Sequence, residues 1–157
     1  PIYVAGPMRH PQGGERVMKD VCALGPLSST ELARWYASAS LFVAPARYEP
    51  FGLSVLEAAL SGCALILGDI PSQRELWDGA AVFVDPHDPT ALAKTVNALI
   101  DDETRRTQLM ASARQRAQRY TVRGMTTAYL DVYRSMLRNE TAEAMRASAR
   151  EDRACVL

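Results

Sequence analysis

Short apolar runs recur along the first half of the chain, each closed by a turn residue. Ile2-Tyr3-Val4-Ala5 ends at Gly6-Pro7, and Val21-Cys22-Ala23-Leu24 ends at Gly25-Pro26. Leu41-Phe42-Val43-Ala44 ends at Pro45, Ala64-Leu65-Ile66-Leu67 at Gly68-Asp69, and Ala81-Val82-Phe83-Val84 at Asp85-Pro86. The runs are continuous rather than alternating, the pattern of strands covered on both faces of a parallel sheet. Helix signals lie between them. Ser28 and Glu31 have capping-box spacing ahead of Leu32, Trp35, Tyr36 and Ala39, which recur at helical intervals over Glu31–Ala39. A second helix is expected from Gly52-Leu53-Ser54 to Leu60, stopped by Gly62, and a short third over Pro71–Trp77, with proline in its first turn. Strands alternating with helices predict a doubly wound α/β fold with a mostly parallel, Rossmann-like sheet.

Beyond Pro86 the pattern turns helical. Pro89–Ile100, Glu103–Arg119 and Val122–Leu137 each read as a helix. The expected organisation is one domain over 1–137, with residues 138–157 as a polar tail, helical or disordered.

Composition narrows the function classes. The chain has 157 residues, with 18 basic and 18 acidic residues and 48% hydrophobic positions. That apolar content argues against disorder over the whole length. A net charge of zero gives no basic footprint for nucleic acid, so none is expected as a partner. No apolar run approaches the roughly 18 residues of a membrane span, and no basic-then-apolar leader opens the chain. The expected location is cytoplasmic. Cys22, Cys63 and Cys155 form no C-x-x-C pair, and the histidines, His10 and His87, are far apart, so a zinc site is not expected.

Ligands of open α/β sheets bind where the carboxyl ends of strands meet helix N-termini. The richest such stretch is Pro45 to Glu57. Glu49 falls in the loop and Glu57 about one turn inside the following helix. Gly52 lets a ligand approach the backbone, and the free N–H groups of Phe51, Gly52, Leu53 and Ser54 would form an anion site. Two carboxylates beside an anion site conflict unless the ligand carries hydroxyls next to its phosphates. A nucleotide sugar does, since carboxylates accept hydrogen bonds from vicinal hydroxyls. Spacing alone leaves open that Glu49 and Glu57 are simply solvated or helix-capping carboxylates. Arg47 and Arg74 stand near strand ends, but read as surface residues; Trp35, Tyr36 and Trp77 read as packing.

The segment Glu49-Pro50-Phe51-Gly52-Leu53-Ser54-Val55-Leu56-Glu57 resembles the E-x7-E signature of GT-B glycosyltransferases, especially the retaining family 4. The flanks agree: Leu24-Gly25-Pro26-Leu27-Ser28 with Glu31-Leu32, then Leu41 to Pro45, Gly62 to Ile66, Arg74-Glu75-Leu76 and Gly79 to Pro86 resemble successive steps of the donor-binding C-terminal domain. The resemblance runs from about Ile2 to Leu137. It implies that Glu49, as the catalytic carboxylate, contacts hydroxyls of the transferred sugar and that Glu57 holds the ribose hydroxyls. It also implies that the N–H groups of Phe51 to Ser54 meet sugar and diphosphate, that Gly25, Pro26 and Leu27 face the base, and that Gly6 permits close approach. It implies a nucleotide-diphosphate sugar as substrate, no cofactor and no metal.

One part of the family pattern has no match in residues 1–20: the opening strand and its G-R-…-K-G step, whose cations neutralise the diphosphate. The chain therefore reads as a fragment cut at Pro1, lacking the central first strand of a 3-2-1-4-5-6 sheet and the N-terminal acceptor-binding domain. Transfer by the isolated chain is expected to be absent or nearly so. Two alternatives stay open: a non-catalytic α/β interaction or regulatory module keeping the scaffold, and another GT-B sugar-phosphate enzyme. The apolar face of the last helix is expected to favour self-association of the fragment, and the full-length enzyme is allowed a membrane-peripheral place.

Overall fold

The structure, a computed structural model, describes residues 1–7 and 20–154, with side chains through position 138. His10, Lys19 and Cys155 lie outside the described residues. The elements in order are β1 (Tyr3–Ala5), β2 (Cys22–Gly25), α1 (Ser29–Ser38), β3 (Leu41–Ala44), α2 (Leu53–Ser61), β4 (Ala64–Gly68), α3 (Pro71–Trp77), β5 (Val82–Val84), α4 (Pro89–Asp101), α5 (Glu103–Ala117) and α6 (Val122–Ala154). They form two compact units, the first Pro1–Ala117 and the second from Gln118 onward.

In the first unit every strand pairing is parallel. β4 lies between β3 and β5, with Leu41 opposite Ala64, Ala44 opposite Leu67, Ile66 opposite Val82 and Gly68 opposite Val84. β1 and β2 pair separately, Tyr3 opposite Cys22 and Ala5 opposite Gly25. Among the described residues no strand joins the two sheets. β1 and β3 therefore belong to different sheets.

β4 is buried throughout because helices cover both of its faces. Side chains alternate across a strand, so Leu65 and Leu67 enter one layer with Tyr36, Val55, Ala58, Trp77 and Ala113, while Ile66 enters another with Val84 and Leu99. This is the doubly wound arrangement the apolar runs predict. β1 and β2 depart from it. Both were expected to be covered on two faces, yet Ile2 is 57% and Tyr3 46% exposed, and Cys22 and Ala23 are exposed as well. Among the described residues no third strand lies beside β1 and β2, and a two-stranded sheet encloses little of itself.

Local signals set the helix ends. In α1 the Ser28 side chain accepts from the Glu31 N–H while the Glu31 carboxylate accepts from the Ser28 N–H at 2.9 Å. In α4 the Asp88 carboxylate accepts from the N–H groups of Thr90 and Ala91, both at 2.9 Å. α5 stops at Ala117 rather than Arg119. α6 does not stop at Leu137 but runs to Ala154, since Thr141-Ala142-Glu143-Ala144-Met145-Arg146-Ala147 is dominated by strong helix formers. Within α6, Met125, Tyr129, Val132, Tyr133 and Met136 are exposed.

Candidate functional site

The carboxyl ends of β1 and β2, with the first turn of α2, surround a cavity of ≈ 390 Å3. Its lining includes Gly6, Pro26, Leu27 and Ser54, together with Leu32 and Tyr36 of α1. The structure thus brings four sequence-predicted residues to one place. A fifth lies directly behind them: the Gly6 N–H donates to the Gly25 carbonyl at 2.8 Å, which ties the ends of β1 and β2 together.

The β3–α2 loop is built from tight backbone approaches. Gly68 ends β4 where a side chain would collide with the carbonyl oxygen of Ala46, so only glycine lets the loop cross the strand there. Further along, the Ser72 hydroxyl donates to the Glu49 carbonyl at 2.6 Å. Glu49 is half-buried, and its Oε1 accepts from the Phe51 N–H at 3.3 Å. Gly52 then takes φ +80°, a left-handed conformation that glycine adopts without strain. As N-cap of α2, Gly52 provides no side-chain hydrogen bond, so the first N–H groups of the helix keep their donor capacity. Leu53 and Ser54 are exposed there, and the dipole of α2 adds positive potential.

Glu57 lies on the exposed side of α2. Burial pushes the Tyr36 phenol above its ordinary range, and the charge of Glu57 pushes the same way, with Cys63 adding to it. Sequence reasoning assigned Tyr36 to packing. It does pack, edge-on against Phe42 with ring centroids 5.7 Å apart, but it also lines the cavity. Its helical spacing signalled only the first role. Glu49, Phe51, Gly52, Leu53 and Glu57 are not part of the cavity lining; they stand on the adjoining loop and helix.

Arg74 does not face this site as a free cation. Its guanidinium forks onto Asp69, with contacts of 2.5 and 2.8 Å, and sits over the Phe83 ring at 4.5 Å. The pair draws the Asp69 carboxyl below its usual range. A second cavity of ≈ 240 Å3, lined by Val82, Lys94, Thr95, Ala98, Leu99 and Arg105, holds none of the sequence-predicted residues. Among the described residues no group of three or more His, Cys, Asp or Glu is placed to hold a metal, and no helix is long and apolar enough to cross a membrane.

Residues 15–116 match the family described as glycosyl transferases group 1. The chain belongs to the group 1 glycosyltransferases. A curated relative in this family, D-inositol 3-phosphate glycosyltransferase 1 of Catenulispora acidiphila, is 38% identical over 114 residues, covering 71% of this chain. The chain spans only 27% of that relative's length. Solved structures share the fold. Sucrose-phosphate synthase from Thermosynechococcus elongatus superposes with a TM-score of 0.73 at 22% identity, over 87% of this chain and 38% of that one. HepE of Anabaena, solved with UDP and glucose, gives 0.67 at 22% identity, over 74% of this chain and 32% of that one. In this fold the segment from Glu49 to Glu57 falls on the β3–α2 loop and α2.

Proposed function

We propose that the chain is the donor-binding part of a retaining, family 4 glycosyltransferase that moves a sugar from a nucleotide-diphosphate sugar to an acceptor. The observation that carries this reading is the cavity at the ends of β1 and β2, which adjoins the uncapped N-terminus of α2 and has Gly6, Pro26, Leu27 and Ser54 in its lining. The base would lie against Pro26 and Leu27. Glu57 would accept from the ribose hydroxyls, and the N–H groups at the start of α2 would take the diphosphate. Glu49 would accept from sugar hydroxyls. In the reaction the bond from the anomeric carbon to the diphosphate oxygen breaks, a bond to the acceptor oxygen forms, and the acceptor's proton passes to the departing nucleotide. HepE, whose structure holds UDP and glucose, is similar in fold and supports the choice of ligand.

The isolated chain should bind donor weakly and transfer little. Charge builds on the leaving diphosphate, and fixed cations there supply much of the stabilisation in such reactions. Arg74 is committed to Asp69. The break between the two sheets and the small share of its relatives that the chain spans favour completion by a further strand and an acceptor-binding domain of the same enzyme.

Calorimetry with UDP and UDP-sugars on the enzyme containing this chain tests the reading. Glu57→Ala should weaken binding about tenfold or more, the worth of a charge-assisted hydrogen bond, and EDTA should leave the affinity unchanged. Equal affinity in the variant would remove Glu57 from the ribose role.

A further inference from the structure

Among the described residues Gln73 is the buried polar side chain of the first unit's core, at 1% exposure. Neither its Nε2 nor its Oε1 has a hydrogen-bond partner. Buried amides are ordinarily paired, because leaving them unpaired forfeits their hydration without compensation. An orphaned amide therefore calls for a partner that arrives in another state of the protein.

The neighbours of Gln73 indicate which partner. A Cβ placed on Gly52 would lie 3.3 Å from Gln73 Nε2 and 3.3 Å from Glu49 Cγ, so the amide and the Glu49 side chain flank the same point of the loop. The preceding residue, Ser72, already grips the Glu49 carbonyl. The Glu49 carboxylate is turned back on its own loop and occupies the Phe51 N–H. That N–H is one of the donors the ligand would need.

We infer that Gln73 is a positioning residue for Glu49: its Nε2–H receives the Glu49 carboxylate when the donor sugar displaces that carboxylate from the Phe51 N–H. The inference rests on the donor-binding reading above and names the internal partner that reading lacks. In the free state Glu49 caps its own loop and Gln73 is unpaired. In the bound state the ligand takes the Phe51 N–H, and rotation about the Glu49 side-chain torsions brings an oxygen toward the amide. The remaining carboxylate oxygen keeps its lone pairs for sugar hydroxyls. Gln73 itself touches no ligand, since it is covered by the loop.

The test uses Gln73→Met in the whole enzyme that contains this chain. Methionine keeps the length and apolar reach of the side chain and removes the amide. The variant should hold a Tm at or above wild type, because an unpaired polar group has been removed. Its donor affinity should stay within about twofold, while kcat falls about tenfold to a hundredfold, as expected for a misplaced reacting group. Adding Glu49→Gln should cause no further loss of comparable size. Wild-type kcat in Gln73→Met, or losses that simply multiply, would overturn the inference. A marked drop in Tm would overturn it too, since the amide would then be paired in the resting fold. Wild-type enzyme that binds no nucleotide sugar would overturn the functional reading together with this one, whereas normal wild-type binding with an unaffected Gln73→Met overturns the positioning role alone.

Discussion

The hydroxyl of Ser72 donates to the carbonyl of Glu49 across 2.6 Å, linking the first turn of α3 to the loop that precedes α2. The bond fixes where the backbone of Glu49 sits, while the bond from the Phe51 N–H fixes its side chain. Ser72→Ala should cost about 1 kcal/mol of stability, the usual net worth of such a bond. Chemical denaturation measures it. Donor affinity should weaken in parallel, because the loop gains freedom that binding must then remove.

Gly68 gives a sharper effect. Any side chain there would collide with the backbone oxygen of Ala46, which has no rotamer to yield. Gly68→Ala should destabilise the protein by about 1–3 kcal/mol, the range for overpacking a tight interior. Thermal unfolding would register the change, and an unshifted Tm would show that the loop can lift off β4.

How much of this was legible beforehand varies with the kind of contact. The Ser28–Glu31 box and the fully covered run Ala64–Leu67 could be read directly, because capping and strand burial leave local patterns. The same logic failed at Ile2–Ala5 and Val21–Leu24. Their runs look equally apolar, but cover depends on neighbours that composition does not reveal. Gly6, Pro26, Leu27 and Ser54, which the motif series singles out, line one cavity. The Ser72–Glu49 bond, the Arg74–Asp69 fork and the burial of Gln73 could not be foreseen. The first joins positions 23 apart, the second is an exposed pair five residues apart that no local motif specifies, and the third reverses the usual preference of a polar residue for the surface. Gln73 shares the inner face of α3 with Trp77 at helical spacing, yet its type reads as solvent-facing.

Cys63 sets an alkaline limit. Its thiol is buried against the carbonyls of Tyr36 and Ala39, and burial pushes its pKa from 9.0 to about 11. The unfolded chain loses this proton first, so stability should be whole below pH 9 and decline as pH rises toward 11. By the top of that window the loss amounts to about 2 kcal/mol. Cys63→Ala should flatten this part of a stability–pH curve, at the cost of a lower plateau. An unchanged slope would place the titration elsewhere.

Acid acts on two exposed carboxyls. Arg74 holds Asp69 below its usual range, and the Ser28 hydrogen bonds do the same for Glu31. Both groups favour the charged form when folded, so their contributions are complete above the ordinary carboxylate range and fade as pH falls through the lowered values. Arg74→Met should remove the Asp69 share and make the acid limb of a denaturation series shallower. Its exposed position keeps the effect small.

The division of the strands into a pair and a triplet has a consequence for how the protein breathes. β4 is walled in on both faces, so its amides should exchange with solvent only on near-global unfolding. Among the described residues β1 and β2 have one partner strand each and exposed side chains, so their amides should exchange by local opening at far lower cost. The wall carrying Gly6, Pro26 and Leu27 therefore belongs to the loose half, and the loop carrying Glu49 to the tight half. A nucleotide entering between them would announce itself first as slowed deuterium uptake over Tyr3–Ala5 and Cys22–Gly25, with β4 unchanged.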